Sequence, residues 1–213
     1  MNGNIRLIGI LVLGMVVLAS VQVVGATGEV TWYWKGSETM YKDSPPTGSP
    51  DTVTLDPGES AWWYTDEAAQ CDLTFSAGTW TATYWAQASG DSGRHRVYAR
   101  LYVVHIDGSA TEIAEEYKLL GPGDGLVRKD RALSPGSVDV KTGEKIAIEI
   151  EWSSSAGSDD KLTIYYNGED YKSRLVSPLS NPAWPVPELS TLILFSVGLL
   201  VLAGYAVLTK RRR

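Results

Sequence analysis

The chain has 213 residues, of which 44% are hydrophobic and 21% charged, and its formal net charge is −6. All 25 acidic residues lie between Glu29 and Glu188, together with only 14 of the 19 basic residues, so this segment carries a charge of −11. Nucleic acids and anionic lipid surfaces repel such a charge, which argues against both as partners. The single cysteine, Cys71, excludes an intrachain disulfide.

The N-terminal residues have the pattern of an export signal. Arg6 precedes an uncharged run over residues 7–28, and the run contains the small-residue sequence Val24-Gly25-Ala26. A basic residue, an apolar segment and small residues at −3 and −1 predict a secretory signal peptide over residues 1–26, cleaved after Ala26. An uncleaved first membrane helix is the alternative, because the uncharged run is long enough to cross a bilayer.

Apolar and polar residues alternate repeatedly in the segment 27–178, and Gly, Pro, Asn and Asp clusters separate the alternating runs. A period of two with one polar face is typical of half-buried antiparallel strands. About nine short strands predict an all-β domain, a two-sheet antiparallel sandwich with jelly-roll-like topology. The predicted core positions are Val30, Trp32, Trp34, Trp80, Ala82, Tyr84, Ala86, Val97, Ala99, Leu101, Val103, Ile146, Ile148, Ile150, Trp152, Leu162, Ile164 and Tyr166.

Two local assignments follow from the alternation pattern. Cys71 alternates with Leu73 and Phe75, which predicts a buried thiol. The run Ala110 to Leu120 is the best helix candidate in the segment, but a strand fits it equally well.

A candidate binding face lies on one predicted strand, opposite its apolar positions. Arg96, Tyr98, Arg100 and Tyr102 alternate there, and their rings and guanidinium groups would suit contact with a glycan or a protein. Trp63 joins this set if Trp62 and Tyr64 are in the core, since an exposed Trp on a strand often marks a binding surface. The alternative is that these residues are ordinary for a β surface.

Catalytic signals are weak. Glu149 and Glu151 share one strand face, a spacing that would suit the paired carboxylates of a glycosidase, but cross-strand ion pairs with Arg96 and Arg100 explain the pattern better. His95 and His105 are about 33 Å apart on an extended strand, so they cannot share a metal ion. We therefore expect no catalytic residues and no enzyme activity.

No cofactor is expected, although calcium is possible. Acidic loop residues offer hard oxygen ligands at Asp159-Asp160, Asp124-Gly125, Asp91 and Asp107-Gly108. The chain has no EF-hand spacing, so the sequence does not indicate which residues would bind the ion.

The C-terminal region predicts a membrane anchor. Residues 179–188 are rich in proline and predict an extended stalk. The uncharged residues 189–209 would form a helix about 31 Å long, enough to span a bilayer once. The basic residues 210–213 then lie in the cytoplasm and the bulk of the chain is extracellular.

Two resemblances extend this interpretation. The C-terminal residues resemble the PEP-CTERM sorting signal and its archaeal PEF-CTERM relatives, and the matching residues are Pro187, Glu188, Ser190, Thr191, Arg211, Arg212 and Arg213. The resemblance implies cleavage of the tail by an exosortase or archaeosortase; a permanent single-pass anchor is the alternative. Residues 75–81, 165–168 and 173–176 resemble secreted jelly-roll modules of prokaryotic surface proteins, some of which are similar to carbohydrate-binding modules.

These features predict an exported, membrane-anchored protein of the cell surface or envelope. It would display a non-catalytic β-sandwich with a structural or interaction role. The first alternative is a carbohydrate-binding or adhesive surface module, and a surface hydrolase comes third.

Overall fold

A computed structural model describes residues 28–36, 38–90, 93–153 and 155–181. The predicted signal peptide, membrane helix, basic tail and sorting motif lie outside the described residues. The described part is all-β, as predicted, with one short 3-10 turn at Pro122–Asp124. Its strands are β1 Thr31–Lys35, β2 Thr39–Lys42, β3 Asp51–Leu55, β4 Ser60–Thr65, β5 Leu73–Phe75, β6 Trp80–Ser89, β7 His95–Val104, β8 Ala110–Leu120, β9 Val127–Leu133, β10 Val138–Val140, β11 Lys145–Trp152, β12 Lys161–Tyr166, β13 Arg174–Val176 and β14 Ser180–Asn181.

The strands form one large sheet and one small sheet. The large sheet has the order β3-β12-β6-β13-β1-β2-β4-β11-β7-β8, with β9 also paired to β6, and the small sheet has the order β10-β5-β14. The large sheet is mixed rather than purely antiparallel as predicted, because β2 pairs in parallel with β4. This short pairing joins Thr39 to Tyr64 and Met40 to Thr65.

The parallel pairing divides the large sheet into two halves that face each other. The first half contains β3, β12, β6, β13, β1, β2 and β9, and the second contains β4, β11, β7 and β8. Trp63 of β4 and Tyr166 of β12 are several strands apart along the sheet, yet their ring centroids are only 5.4 Å apart. The two halves therefore pack face to face, as in a β-sandwich.

The core between the halves contains the apolar positions predicted from the alternation. Large indole rings fill much of it. Trp34 stacks on Trp63 with centroids 4.3 Å apart, and Trp32 stacks on Trp80 at 6.2 Å. Aromatic side chains bury more apolar area than other residues, so these stacks are expected to dominate the stability of the domain.

Two local predictions differ from the structure, and the structure decides one open alternative. Cys71 precedes β5 in a bend and is half-buried rather than buried. The run from Ala110 to Leu120 is the long strand β8, because it pairs along the whole of β7. The strand β14 lies inside the predicted stalk, because Ser180 and Asn181 pair with Phe75 and Thr74 of β5.

Candidate functional site

The outward side of the β4-β11-β7-β8 half-sheet carries a cluster of aromatic and charged residues. Cross-strand pairs form two rows on this side. The first row crosses four strands and contains Trp62, Glu149, Arg100 and Glu115. The second row crosses three strands and contains Glu151, Tyr98 and Tyr117. We call this surface the aromatic face. It comprises Trp62, Tyr64, Arg96, Tyr98, Arg100, Tyr102, Glu115, Tyr117, Glu149 and Glu151.

Arg100 is the centre of the aromatic face. Its Nε donates to Oε2 of Glu115 at 2.6 Å, and its Nη1 donates to Oε2 of Glu149 at 3.2 Å and to Glu151. Its guanidinium also lies over the ring of Tyr98, 4.8 Å from the centroid. The predicted cross-strand Glu–Arg pairs are thus confirmed for Arg100, and one cation neutralises carboxylates from two neighbouring strands.

The electrostatics keep the donors of this network protonated. Burial disfavours the charged guanidinium, but hydrogen bonds to Glu115, Glu151 and Glu149 outweigh it and raise the pKa of Arg100. Burial, followed by the hydrogen bond to Glu149, raises the pKa of Tyr102. The Tyr102 hydroxyl accordingly donates to Oε2 of Glu149 at 2.9 Å.

Arg96 lies at the exposed end of the face and is held differently. Its guanidinium stacks on the ring of Tyr117, 4.5 Å from the centroid, and its Nη1 donates to the Tyr98 hydroxyl at 3.2 Å. Tyr117 retains 43% of its accessible surface. This end therefore offers a ring and a cation that still have free surface for a ligand.

Trp62 forms the opposite end of the face. Its ring packs against Tyr102 with centroids 4.6 Å apart and stacks on Tyr64 at 5.9 Å. Its Nε1 donates to Ser60 Oγ at 3.1 Å, which fixes the orientation of the indole. Rings fixed by such contacts lose little conformational entropy when a ligand binds.

The structure brings the predicted row Arg96, Tyr98, Arg100 and Tyr102 together on one outward face. The predicted exposure of Trp63 is wrong, because only 2% of this residue is accessible and its ring packs in the core. Trp62 and Tyr64 occupy the outward side in its place. Sequence reasoning also missed Tyr117, because it left β8 undecided between helix and strand.

A second polar cluster lines a cleft of about 280 Å³ between β7, β8 and the loop before β10. His105 Nδ1 lies 2.6 Å from Oε1 of Glu144, and His105 Nε2 lies 2.9 Å from Oγ1 of Thr111. Glu144 also accepts the Lys141 backbone N–H through Oε2 at 2.7 Å. The cluster therefore connects the end of β7 to the turn between β10 and β11.

We expect Glu144→Gln to lower the free energy of unfolding by about 1 kcal/mol at pH 7. Burial acts to raise the pKa of Glu144, but hydrogen bonds from Lys141 and His105 outweigh it and lower that pKa below 4.5. The ionised carboxylate therefore stabilises the folded state fully when the pH is above about 4.5. This contribution is lost as the pH falls through the lowered pKa. Urea unfolding at pH 7 and at about pH 3.5 measures the difference.

The matched control is the exposed Glu169→Gln, which should change stability at neither pH. A penalty for Glu144→Gln of the same size at both pH values would show that the charge of the carboxylate contributes nothing.

Three of the described carboxylates in the candidate calcium loops form local hydrogen bonds. Asp124 pairs with Arg94 at 3.0 Å, Asp107 accepts from Ser109, and Asp160 accepts the Gly157 N–H at 2.8 Å. Within residues 28–36, 38–90, 93–153 and 155–181, no group of three or more His, Cys, Asp or Glu side chains is arranged to hold a metal ion. Asp91 lies outside the described residues.

Within the residues that the structure describes, no helix has the length and apolar character needed to span a bilayer.

No protein-family model matches the sequence, and no curated protein matches it significantly. Solved structures do share the fold. A CocE/NonD family hydrolase from Staphylococcus aureus has a TM-score of 0.57 and 12% identity over 72% of this chain. An aminopeptidase from a marine sediment Thaumarchaeota archaeon has the same TM-score and identity over 71% of this chain.

This chain spans 37% of the length of each of these two proteins, so the likeness is to one part of each. A structure titled "CBM4 structure and function" aligns over 70% of this chain and 94% of its own, with 14% identity. Its TM-score is 0.35, below the level at which two folds are the same. At these identities the comparisons bear on the fold alone.

Proposed function

We propose that this chain is an exported, membrane-anchored protein of the cell surface that displays a non-catalytic, jelly-roll-like β-sandwich as a binding module. The signal-like residues 1–26, the apolar segment 189–209 and the basic residues 210–213 support this placement. The sorting-signal resemblance from Pro187 onwards supports processing by an exosortase or archaeosortase. The domain then acts outside the membrane, as a cell-surface protein with or without its tail.

The aromatic face is the proposed contact surface, and the exposed pair formed by Tyr117 and Arg96 is the observation that carries the proposal. An exposed ring beside a guanidinium, with carboxylates one strand away, offers both a flat apolar surface and hydrogen-bonding groups. A sugar ring presents the complementary combination of an apolar C–H face and a rim of hydroxyls. We therefore propose a surface glycan as the ligand class.

A structural role in the envelope is the second candidate. The hydrogen bonds of Arg100 to three carboxylates favour it, because a network satisfied internally stabilises the sheet without any ligand. The two candidates differ in whether the exposed rings contribute to binding.

The test uses intact cells that produce the full chain and a panel of fluorescent neutral and acidic polysaccharides. Antibody access to the domain on unbroken cells measures export, and bound fluorescence measures recognition. We expect the double change Trp62→Ala with Tyr117→Ala to lower glycan binding by at least about tenfold, because aromatic anchors dominate such contacts. Antibody access should not change.

The control is Tyr41→Ala, which removes a tyrosine of similar exposure, 41%, from β2. It should leave glycan binding intact. Equal binding by all variants would overturn the recognition role of the aromatic face. If the antibody cannot reach the domain on intact cells, the surface placement is overturned.

A further inference from the structure

Arg131 of β9 is a buried cation. It pairs with Ala82 across the sheet, so its side chain points into the space between the two half-sheets, and only 1% of the residue is accessible. Its Nη1 donates to the carbonyl oxygen of Asp130 at 2.7 Å. Its Nε and Nη2 are buried and have no hydrogen-bond partner. Three of the five N–H donors of this guanidinium are therefore unused.

The carboxylate next to Arg131 in sequence does not neutralise it. Asp130 points to the other side of the sheet, where it accepts from Thr83 Oγ1 at 2.7 Å and from Arg128 at 3.0 Å. Among the described residues, no carboxylate forms an ion pair with Arg131. Arginine stays charged in proteins, and an uncompensated buried charge is strongly unfavourable.

The groups around Arg131 also favour an anion at this position. Its guanidinium lies 5.7 Å from the ring centroid of Tyr84. Burial raises the pKa of Tyr84 and Arg131 opposes this rise, so the nearest partner of the buried hydroxyl is Arg131 itself. Lys129 shares the inward side of β9. Burial, and next the charge of Arg131, lower the pKa of Lys129, and the carboxylate of Asp124 only partly opposes them. Two cations, Arg131 and Lys129, thus share the inward side of β9, in a segment whose formal charge is −11.

The unused donors also have a specific geometry. Nε–H and one Nη2–H of a guanidinium point in parallel, and this fork matches the two oxygens of a carboxylate. We propose that Arg131 binds a small organic carboxylate in the space between the two half-sheets, beside β6 and β9, with the fork on its two oxygens and the Tyr84 hydroxyl as a further donor. The site is separate from the aromatic face, which lies on the outward side of the other half-sheet, and does not depend on the proposed glycan binding.

The test measures thermal unfolding of the full chain in detergent while acetate replaces chloride at constant ionic strength and pH 7. We expect the wild-type Tm to rise with acetate by at least about 2 °C near saturation, because a ligand that binds only the folded state stabilises it. Arg131→Met removes the charge at similar volume and should abolish the rise. Arg131→Lys keeps the charge but removes the fork, and should also abolish it.

The control is Arg128→Met on the same strand, whose guanidinium is exposed and which should keep the acetate response. A direct measurement is the line width of carbon-13-labelled acetate, which wild-type protein should broaden and Arg131→Lys should not. The proposal is overturned if acetate has no effect on the wild type. It is equally overturned if acetate raises the Tm of wild type and of both Arg131 variants alike.

Discussion

Trp63→Ala is expected to lower the free energy of unfolding by about 3–5 kcal/mol, the cost of removing a large buried side chain from a core. Its ring stacks on Trp34 at 4.3 Å and meets Tyr166 of the facing half-sheet, so the substitution opens a cavity where the two halves meet. The Tm should fall by about 10 °C in far-UV circular dichroism of the full chain.

The neighbouring residue supplies the matched control. Trp62→Ala removes the same side chain one position earlier, where it lies on the outward face and packs only against surface rings. It should cost about 1 kcal/mol. If Trp62→Ala destabilises the protein as much as Trp63→Ala does, the phase of β4 is the reverse of that described.

Arg100→Met is expected to cost about 2 kcal/mol, although the residue lies on an outward face. The substitution leaves Glu149, whose side chain is only 9% exposed, with a negative charge that loses its cation and keeps the Tyr102 hydroxyl. A half-satisfied buried carboxylate destabilises the folded state more than an exposed one. Urea unfolding at pH 7 measures the loss.

A double substitution separates the network from simple packing. Arg100→Met with Glu149→Gln removes both charges, and we expect it to be more stable than Arg100→Met alone by about 1 kcal/mol. Arg96→Met, on the same strand and face but exposed, should change stability little. Strict additivity of the two single effects would contradict the coupling between Arg100 and Glu149.

The sequence predicts the strands best where alternation is unambiguous. Ile146, Ile148 and Ile150 alternate with smaller or acidic residues, and all three are fully buried. The Arg96 to Tyr102 row follows from the same logic, since each member is followed along β7 by a buried aliphatic residue. Period-two patterns specify the two sides of a strand without any knowledge of its neighbours.

Trp62-Trp63-Tyr64 shows where this reasoning fails. Three consecutive aromatic residues suit either phase, so alternation cannot decide which ring points inward. The pairing of β4 with β11 decides it, because Trp63 lies opposite Ile148 and therefore on the core side. The position of Tyr117 beside Arg96, and the burial of Arg131 opposite Ala82, likewise depend on which strands become neighbours.

The pairing of β1 with β13 has a consequence for how the domain folds. Val30 N–H donates to Ser177 Oγ across 147 residues of sequence, and Trp32 pairs with Leu175 in the same region. Contacts between such distant segments require a costly loop closure, so domains dominated by them fold slowly. In a chain that crosses a membrane from its N-terminus, β1 could pair with β2 early but would lack its second partner until β13 emerged. Trp32 and Trp34 would remain accessible to chaperones and proteases for that time.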